Sequence, residues 1–365
     1  MSSPRVFVTG ATGFIGRAAV CELLARGAPV RCLVRGPDRA ASVLDDAVAA
    51  GLVRPGALEM VFGALGAGAV DPRWLSGCDV ILHAAGVLRG PASVLVRENV
   101  VATRRLIEAS AVCGISRFVL VSSISVYASA ALASREPVGE TCSIEAHPER
   151  RSAYVYSKVM QEAVCREAPV PLVVIRPGIV YGPGHNRLSD RVGPRLGRYL
   201  ALVAPDRRMP CTFVTNCASA LAAAALTSGV GGASFNIVDD ELPTARQLVD
   251  VYRASGGDLR TMHVPRQAIT FLSKVYERWF SRSRGDLPVS FLPYVIDPLY
   301  KEVRFANAAA HERLHWLPRV DLRAALRATA TGNVTNQTTA IAVVRPTGAA
   351  TVKPGYTESL GFVGP

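Results

Sequence analysis

The sequence predicts an α/β protein, a doubly wound parallel sheet followed by a smaller C-terminal lobe. Three observations carry this reading. A glycine triplet separates a short apolar run from a helical pattern; apolar strand candidates then alternate with amphipathic stretches; and the alternation loosens beyond Gly184.

The first strand is Val6-Phe7-Val8, and Val20, Leu23 and Leu24 recur at helical spacing until Gly27 supplies a stop. Between them runs Thr9-Gly10-Ala11-Thr12-Gly13-Phe14-Ile15-Gly16. In a strand-to-helix turn of this kind the first glycine permits the bend, the second lets backbone N–H groups approach a phosphate, and the third lets helix and strand pack closely. The helix N-terminus then faces the anion. Further strands are expected at Val30–Val34, Met60–Phe62, Val80–His83, Phe118–Ser122 and Leu172–Arg176, with helices at Asn99–Ser110 and Tyr154–Glu167. Residues 1–185, rejoined by 209–240, form the expected dinucleotide-binding domain. Residues 186–208 and 241–330 form a substrate lobe, and 331–365, rich in Thr, Gly, Ala and Pro, reads as a flexible tail.

Composition narrows the partners. The 365 residues are 49% hydrophobic and 19% charged, and they carry a formal charge of +12. The basic residues are spread along the chain without an aromatic-basic platform, so no nucleic-acid partner is expected, and an anionic small molecule accounts for the charge equally well. No run approaches the ~18 apolar residues of a membrane span. The start lacks a basic-then-apolar leader, so the expected location is cytoplasmic. Eight cysteines lie without metal-site spacing; they read as reduced, mostly buried thiols, and no metal is expected.

Tyr154 and Lys158 stand four apart on one predicted helix and share a face. A neighbouring ammonium favours the phenolate, so Tyr154 can exchange a proton with a hydroxyl or carbonyl oxygen. An amphipathic helix with a half-buried Tyr and a solvated Lys is the plainer alternative for the pair alone. Upstream, Val121-Ser122-Ser123-Ile124-Ser125 ends a strand, where the Ser123 hydroxyl can hydrogen-bond the reacting oxygen.

In combination, Thr9–Gly16, Ser123, Tyr154 and Lys158 resemble the extended short-chain dehydrogenases/reductases, the epimerase/dehydratase-like enzymes. Leu82–Gly86, Glu98–Thr103, Arg176–Gly184, Asn236–Asp240 and Leu314–Val320 follow in the family's order, so the resemblance spans roughly residues 4–330. It implies a Rossmann domain holding NAD(P), a Ser123, Tyr154, Lys158 triad, and hydride transfer at a secondary alcohol or ketone. The implied cofactor contacts are Gly10, Thr12, Gly13, Phe14, Ile15 and Gly16 at the turn, and Ala84, Ala85 and Gly86 after the fourth strand. Tyr154, Lys158, Pro177 and Ile179 complete them near the nicotinamide. Asn99 matches the family's helix asparagine, with capping or packing as its alternative role. His83 is expected to pack without transferring a proton.

Two departures refine this picture. Val34-Arg35-Gly36-Pro37-Asp38-Arg39 has no acidic residue directly at the strand end, and Arg35 with Arg39 suits a 2′-phosphate, favouring NADP over NAD. Gly63-Ala64-Leu65 lacks the carboxylate that relatives place near adenine. Three functions stay open: a reductase or dehydrogenase, a nucleotide-sugar epimerase recycling NAD, and a noncatalytic dinucleotide sensor. Ile124 after Ser123 disfavours a dehydratase. Residues 186–208 could clamp an anionic nucleotide-sugar or form an exposed basic loop, and a homodimer through the Tyr154 helix is the expected assembly.

Overall fold

The computed structural model describes residues 3–128, 137–185, 188–283 and 291–332. The chain opens with β1 (Val6–Thr9), α1 (Phe14–Ala25), β2 (Val30–Val34), α2 (Pro37–Ala49), β3 (Leu58–Phe62) and β4 (Val80–His83). It continues through α3 (Ala92–Leu95), a π-helical segment Val96–Val101, α4 (Ala102–Val112), β5 (Arg117–Val121), β6 (Pro137–Val138), α5 (Ala153–Arg166) and β7 (Leu172–Pro177). Then come β8 (Ile179–Tyr181), β9 (Arg195–Leu196), β10 (Tyr199–Val203), β11 (Cys211–Phe213), α6 (Val214–Leu226) and β12 (Ser234–Ile237). The last elements are α7 (Ala245–Ala254), β13 (Arg260–Val264), α8 (Arg266–Phe280), α9 (Pro293–Tyr300), β14 (Arg304–Phe305), α10 (Ala308–Leu314) and α11 (Leu322–Thr331).

Seven parallel strands form the main sheet in the order β12-β7-β5-β4-β1-β2-β3. Strand order reverses between β1 and β4, and ligands of such sheets bind at that switch point, beyond the carboxyl ends of the strands. Strand residues alternate between two cores: Val6 and Val8 join one with α1 and α6, while Phe7, Ile81, Phe118 and Leu120 join the other with α4 and α5. Burial on both faces is why these strands read as continuous apolar runs. α6 is buried along almost its whole length, and its alanines let it lie close against α1 and the sheet.

A second sheet, β13-β10-β9, stands apart from the first. One of its faces buries Leu200 and Leu202 with α7 residues, while the other end of the opposite face carries a small core of Val203, Ile269, Ile296 and Tyr300 beneath α8 and α9. No helix among the described residues is long and apolar enough to cross a membrane. Strand boundaries moved little from expectation. The predicted Asn99–Ser110 helix is instead a π-helical segment followed by α4. The expected tail from 331 has Thr331 as the last residue of α11; 333–365 lie outside the described residues.

Candidate active site

The glycine-rich turn is shaped as its spacing predicts. Gly10 has φ +70, and a Cβ there would lie 2.5 Å from the Ala85 nitrogen; one on Gly16 would lie 2.0 Å from the Gly10 carbonyl oxygen. Gly10 therefore brings β1 against the end of β4, and Gly16 brings α1 against the turn. Gly13 is exposed and caps α1 without any side-chain hydrogen bond, so N–H groups of the first helical turn are left for an anion. Thr12, Phe14 and Ile15 flank it half-buried. These features fit a dinucleotide pyrophosphate.

Ser123, Tyr154 and Lys158 gather beyond β5. Ser123 follows the strand in an extended conformation and caps a short 3-10 turn. Its Oγ accepts from Ser125 N at 3.2 Å and Ser125 Oγ at 2.9 Å, which leaves its own proton for the Tyr154 oxygen. α5 starts at a Ser152 cap, which sets Tyr154 in the first turn. Burial raises the Tyr154 pKa and the Ser123 hydrogen bond opposes it, so the group rests as a neutral phenol.

Lys158 behaves differently from expectation. Its Nζ donates to the Val121 carbonyl at 2.9 Å and to Gln161 Oε1 at 2.8 Å. Helical spacing puts Tyr154 and Lys158 on one face, but the β5 carbonyl and Gln161 draw the ammonium inward. Burial pushes Lys158 down to about 8.

The same ammonium ends a chain of buried polar groups that the sequence did not reveal. Gln161 Nε2 donates to Thr103 Oγ1 at 2.8 Å, and Thr103 spends its one proton on the Asn99 carbonyl at 2.6 Å. Thr103 Oγ1 must then accept from His83 Nε2, 2.8 Å away, so the His83 proton sits on Nε2 and Nδ1 accepts from Thr9 Oγ1 at 2.6 Å. Burial, and then the Lys158 charge, hold the His83 pKa down at about 3, so the ring is neutral. Thr9 immediately precedes Gly10, and its Oγ1 also accepts from Ala85 N at 3.3 Å. Lys158 is thus tied to the glycine turn through side chains alone.

Asn99 is fully buried in the π-helical segment and brackets Val87, accepting from its N–H at 2.7 Å and donating to its carbonyl at 2.9 Å. It shapes the loop after Ala84, Ala85 and Gly86, and a Cβ on Gly86 would lie 3.3 Å from Asn99 Oδ1 and 3.7 Å from Lys158 Nζ. Pro177 and Ile179 flank Gly178, where a Cβ would lie 2.3 Å from the Pro210 carbonyl oxygen. Beneath the site, Glu162 takes a bidentate pair from Arg176 at 2.9 and 2.7 Å and a hydrogen bond from Ser122 at 2.5 Å. Burial would raise the Glu162 pKa, but Arg176 and Ser122 together hold it below the usual carboxylate range.

Other expectations resolve less simply. Arg35 and Arg39 are exposed at the end of β2 and the start of α2, on the rim of the site. The arginines of 186–208 divide: Arg191 donates to the Pro298 carbonyl at 3.1 Å and Arg207 to those of Leu299 at 2.9 Å and Arg191, whereas Arg195, Arg198 and Arg208 are exposed. Arg191 and Arg207 cap the carboxyl end of α9, where cations are favoured; residues 186 and 187 lie outside the described residues. Asn216 holds the C-terminal motif, accepting from Arg319 N and Val320 N at 2.9 and 3.0 Å. A recess of about 390 Å³ lined by Cys165, Val174 and Ser234 sits at the amino ends of β7 and β12, away from this chemistry.

Residues 6–237 match the model of the NAD dependent epimerase/dehydratase family. The chain belongs to that family. Within it, the chain is 29% identical over 333 residues to 4-hydroxy-2-methyl-3-oxo-4-farnesyl-3,4-dihydroquinoline-1-oxide ketoreductase of Stigmatella aurantiaca, covering 87% of this chain and 92% of that protein. It is 28% identical to ceramide reductase of Caulobacter vibrioides, covering 76% and 78%. In fold it resembles the UDP-glucuronic acid 4-epimerase of Bacillus cereus, solved with NAD, at TM-score 0.64 and 19% identity over 90% of this chain and 98% of that one. Family membership makes this chain an NAD-dependent enzyme of the oxidoreductase and epimerase type.

Proposed function

We propose that the chain is an NADPH-dependent ketoreductase acting on a ketone carried by a largely apolar skeleton. The placement of Tyr154 supports this reading: the Ser152 cap sets its phenol in the first turn of α5 with Ser123 and Lys158 beyond β5, where a phenol can give a proton to a carbonyl oxygen, and the two relatives named above are reductases. A bound dihydronicotinamide supplies hydride to the carbonyl carbon. Tyr154 protonates the oxygen as charge develops there, Ser123 holds that oxygen or the phenolate left behind, and Lys158 stabilises the phenolate from its fixed position. Ketone, hydride and proton then sum to a secondary alcohol.

The proposed contacts to the dinucleotide are those of the turn, the Ala84–Gly86 segment and Pro177–Ile179, with Arg35 and Arg39 on the 2′-phosphate. The elements after β8, other than β11, α6, β12 and α10, which packs on the main sheet, form the proposed substrate lobe. The apolar skeleton follows from the farnesyl and ceramide compounds in the two relatives' names. Of the arginines that could hold an anionic nucleotide-sugar in the competing epimerase reading, Arg191 and Arg207 already serve α9, while Arg195, Arg198 and Arg208 stay exposed.

Mass spectrometry of nucleotide released by denaturing fresh protein, followed by NADPH and NADH fluorescence titration of stripped protein, tests the open cycle. An empty site that selects NADPH supports a reductase. Stoichiometric retained NAD overturns it in favour of internal redox cycling.

A further inference from the structure

Helix α8 has two apolar faces, and only one of them is covered. Ile269 and Ser273 are buried, and Ile269 packs with Val203, Ile296 and Tyr300. The Ile269 packing fixes which side of the helix faces inward, and Arg266 lies 3.8 Å from Asp297 of α9 on the same side. On that other side Phe271, Leu272 and Trp279 are 67%, 61% and 66% exposed. At about 100° per residue they fall with Val275 in an arc of roughly 100°. Lys274 and Arg278, both exposed, border the arc on one side with Glu277 set beyond them, and the exposed Arg282 follows in the turn after the helix. None of the three cations forms an ion pair with a described residue.

The neighbouring sheet extends the same character. In the β10–β13 register Tyr199 stands beside Arg260 and Ala201 beside Met262, on the sheet face that carries α8 and α9 at its Val203 end. At its other end that face is bare, with Tyr199 56% and Met262 68% exposed, next to Arg198 and Arg260.

We infer that this face docks on an anionic lipid surface, with the apolar arc of α8 entering the headgroup boundary and the basic border resting on lipid phosphates. A helix whose exposed side offers Trp, Phe and Leu beside a row of Lys and Arg has the composition of an interfacial helix lying in the membrane plane. Charge decides the occupant. Three cations against one carboxylate, on a chain of formal charge +12, complement an anionic bilayer. A second copy related by a two-fold axis would set the same cations against each other. The inference rests on the surface of α8 and β13 and stands whether or not the reductase reading holds.

The test uses the purified full chain with sucrose-loaded vesicles of phosphatidylcholine alone or with about one third phosphatidylglycerol, a composition that supplies the anionic surface. The chain is expected to sediment with anionic vesicles, to do so less with neutral ones, and to be released by high salt, with bromine-labelled lipid quenching Trp279. F271S/L272S/W279S should stay in the supernatant while melting at the parent temperature, and K274E/R278E/R282E should lose more than about tenfold in partitioning. Should the triple serine variant fail to fold, L272S alone should weaken sedimentation. Wild-type protein remaining in the supernatant with anionic vesicles at low salt overturns the inference. So does light scattering that shows a dimer dissolved by F271S/L272S/W279S, which assigns the face to a second copy. Equal sedimentation of the charge-reversed and parent proteins also overturns it.

Discussion

The main sheet and the α8–α9 layer both bury charged side chains, and they satisfy them by different means. Under the active site Arg176 meets Glu162 through two hydrogen bonds, and Lys158 meets Gln161, so each charge has a directed side-chain partner. In the outer layer Arg207 and Arg191 meet only backbone carbonyls near the end of α9. The first arrangement fixes angles and distances at the site of chemistry. The second fixes one helix end and leaves the outer surface apolar. Directed side-chain pairs thus lie under the candidate site in the sheet, and the layer outside it carries the exposed apolar surface.

The comparison breaks first at Tyr154. Tyr154→Phe is expected to lower kcat by about 10²- to 10⁴-fold while NADPH affinity, read by fluorescence titration, stays nearly constant. Loss of cofactor binding instead would make the residue structural. Next, Arg176→Leu leaves the buried Glu162 with only Ser122 and the half-exposed Arg166 as partners, and urea denaturation should show a loss of about 3 kcal/mol; Arg176→Leu with Glu162→Leu together should lose less. A double loss equal to the sum of the two single losses would mean that the pair is not coupled.

A smaller effect is expected at Gln161, which touches Lys158 but lies too deep for substrate. Gln161→Leu should cost about 10- to 100-fold in kcat by freeing the ammonium. Lys158, depressed by burial to about 8, loses its proton as pH rises through that value, so ketone reduction should fall on the alkaline side. Gln161→Glu places a carboxylate beside the ammonium and should move that limb to higher pH. An unmoved limb would separate Lys158 from the pH dependence. The smallest change is expected on the rim, where Arg35→Ser should raise KM for NADPH by about tenfold and leave NADH unaffected.

Much of this contrast is legible in the sequence. Strands buried on both faces announce themselves as apolar runs, and Gly10 and Gly16 sit where a Cβ would strike backbone. Tyr154 and Lys158 are readable because helix spacing is local. The π-helical turn at Asn99 is not readable, since one extra residue in a turn leaves the apolar pattern almost unchanged. The Gln161, Thr103, His83 and Thr9 chain joins four separate elements, and only its first step, Lys158 to Gln161 three residues on, is local. Arg191 and Arg207 look like an anion clamp until the end of α9 is located in space. α8 reads as an ordinary amphipathic helix, because sequence does not say which of its two apolar faces is covered.

Transfer of isotope from NADPH carrying ²H at the transferred C4 position, found by assaying the 4R and 4S labels separately, to a ketone on a long apolar chain tests the central claim most directly, with the alcohol analysed by mass spectrometry and NMR. Deuterium on the carbinol carbon, one per turnover, and none with Tyr154→Phe is the result expected of a ketoreductase whose phenol supplies the proton. Alcohol formed at the parent rate by Tyr154→Phe, or turnover that leaves deuterium on the nucleotide while tightly held NAD cycles internally, would contradict it.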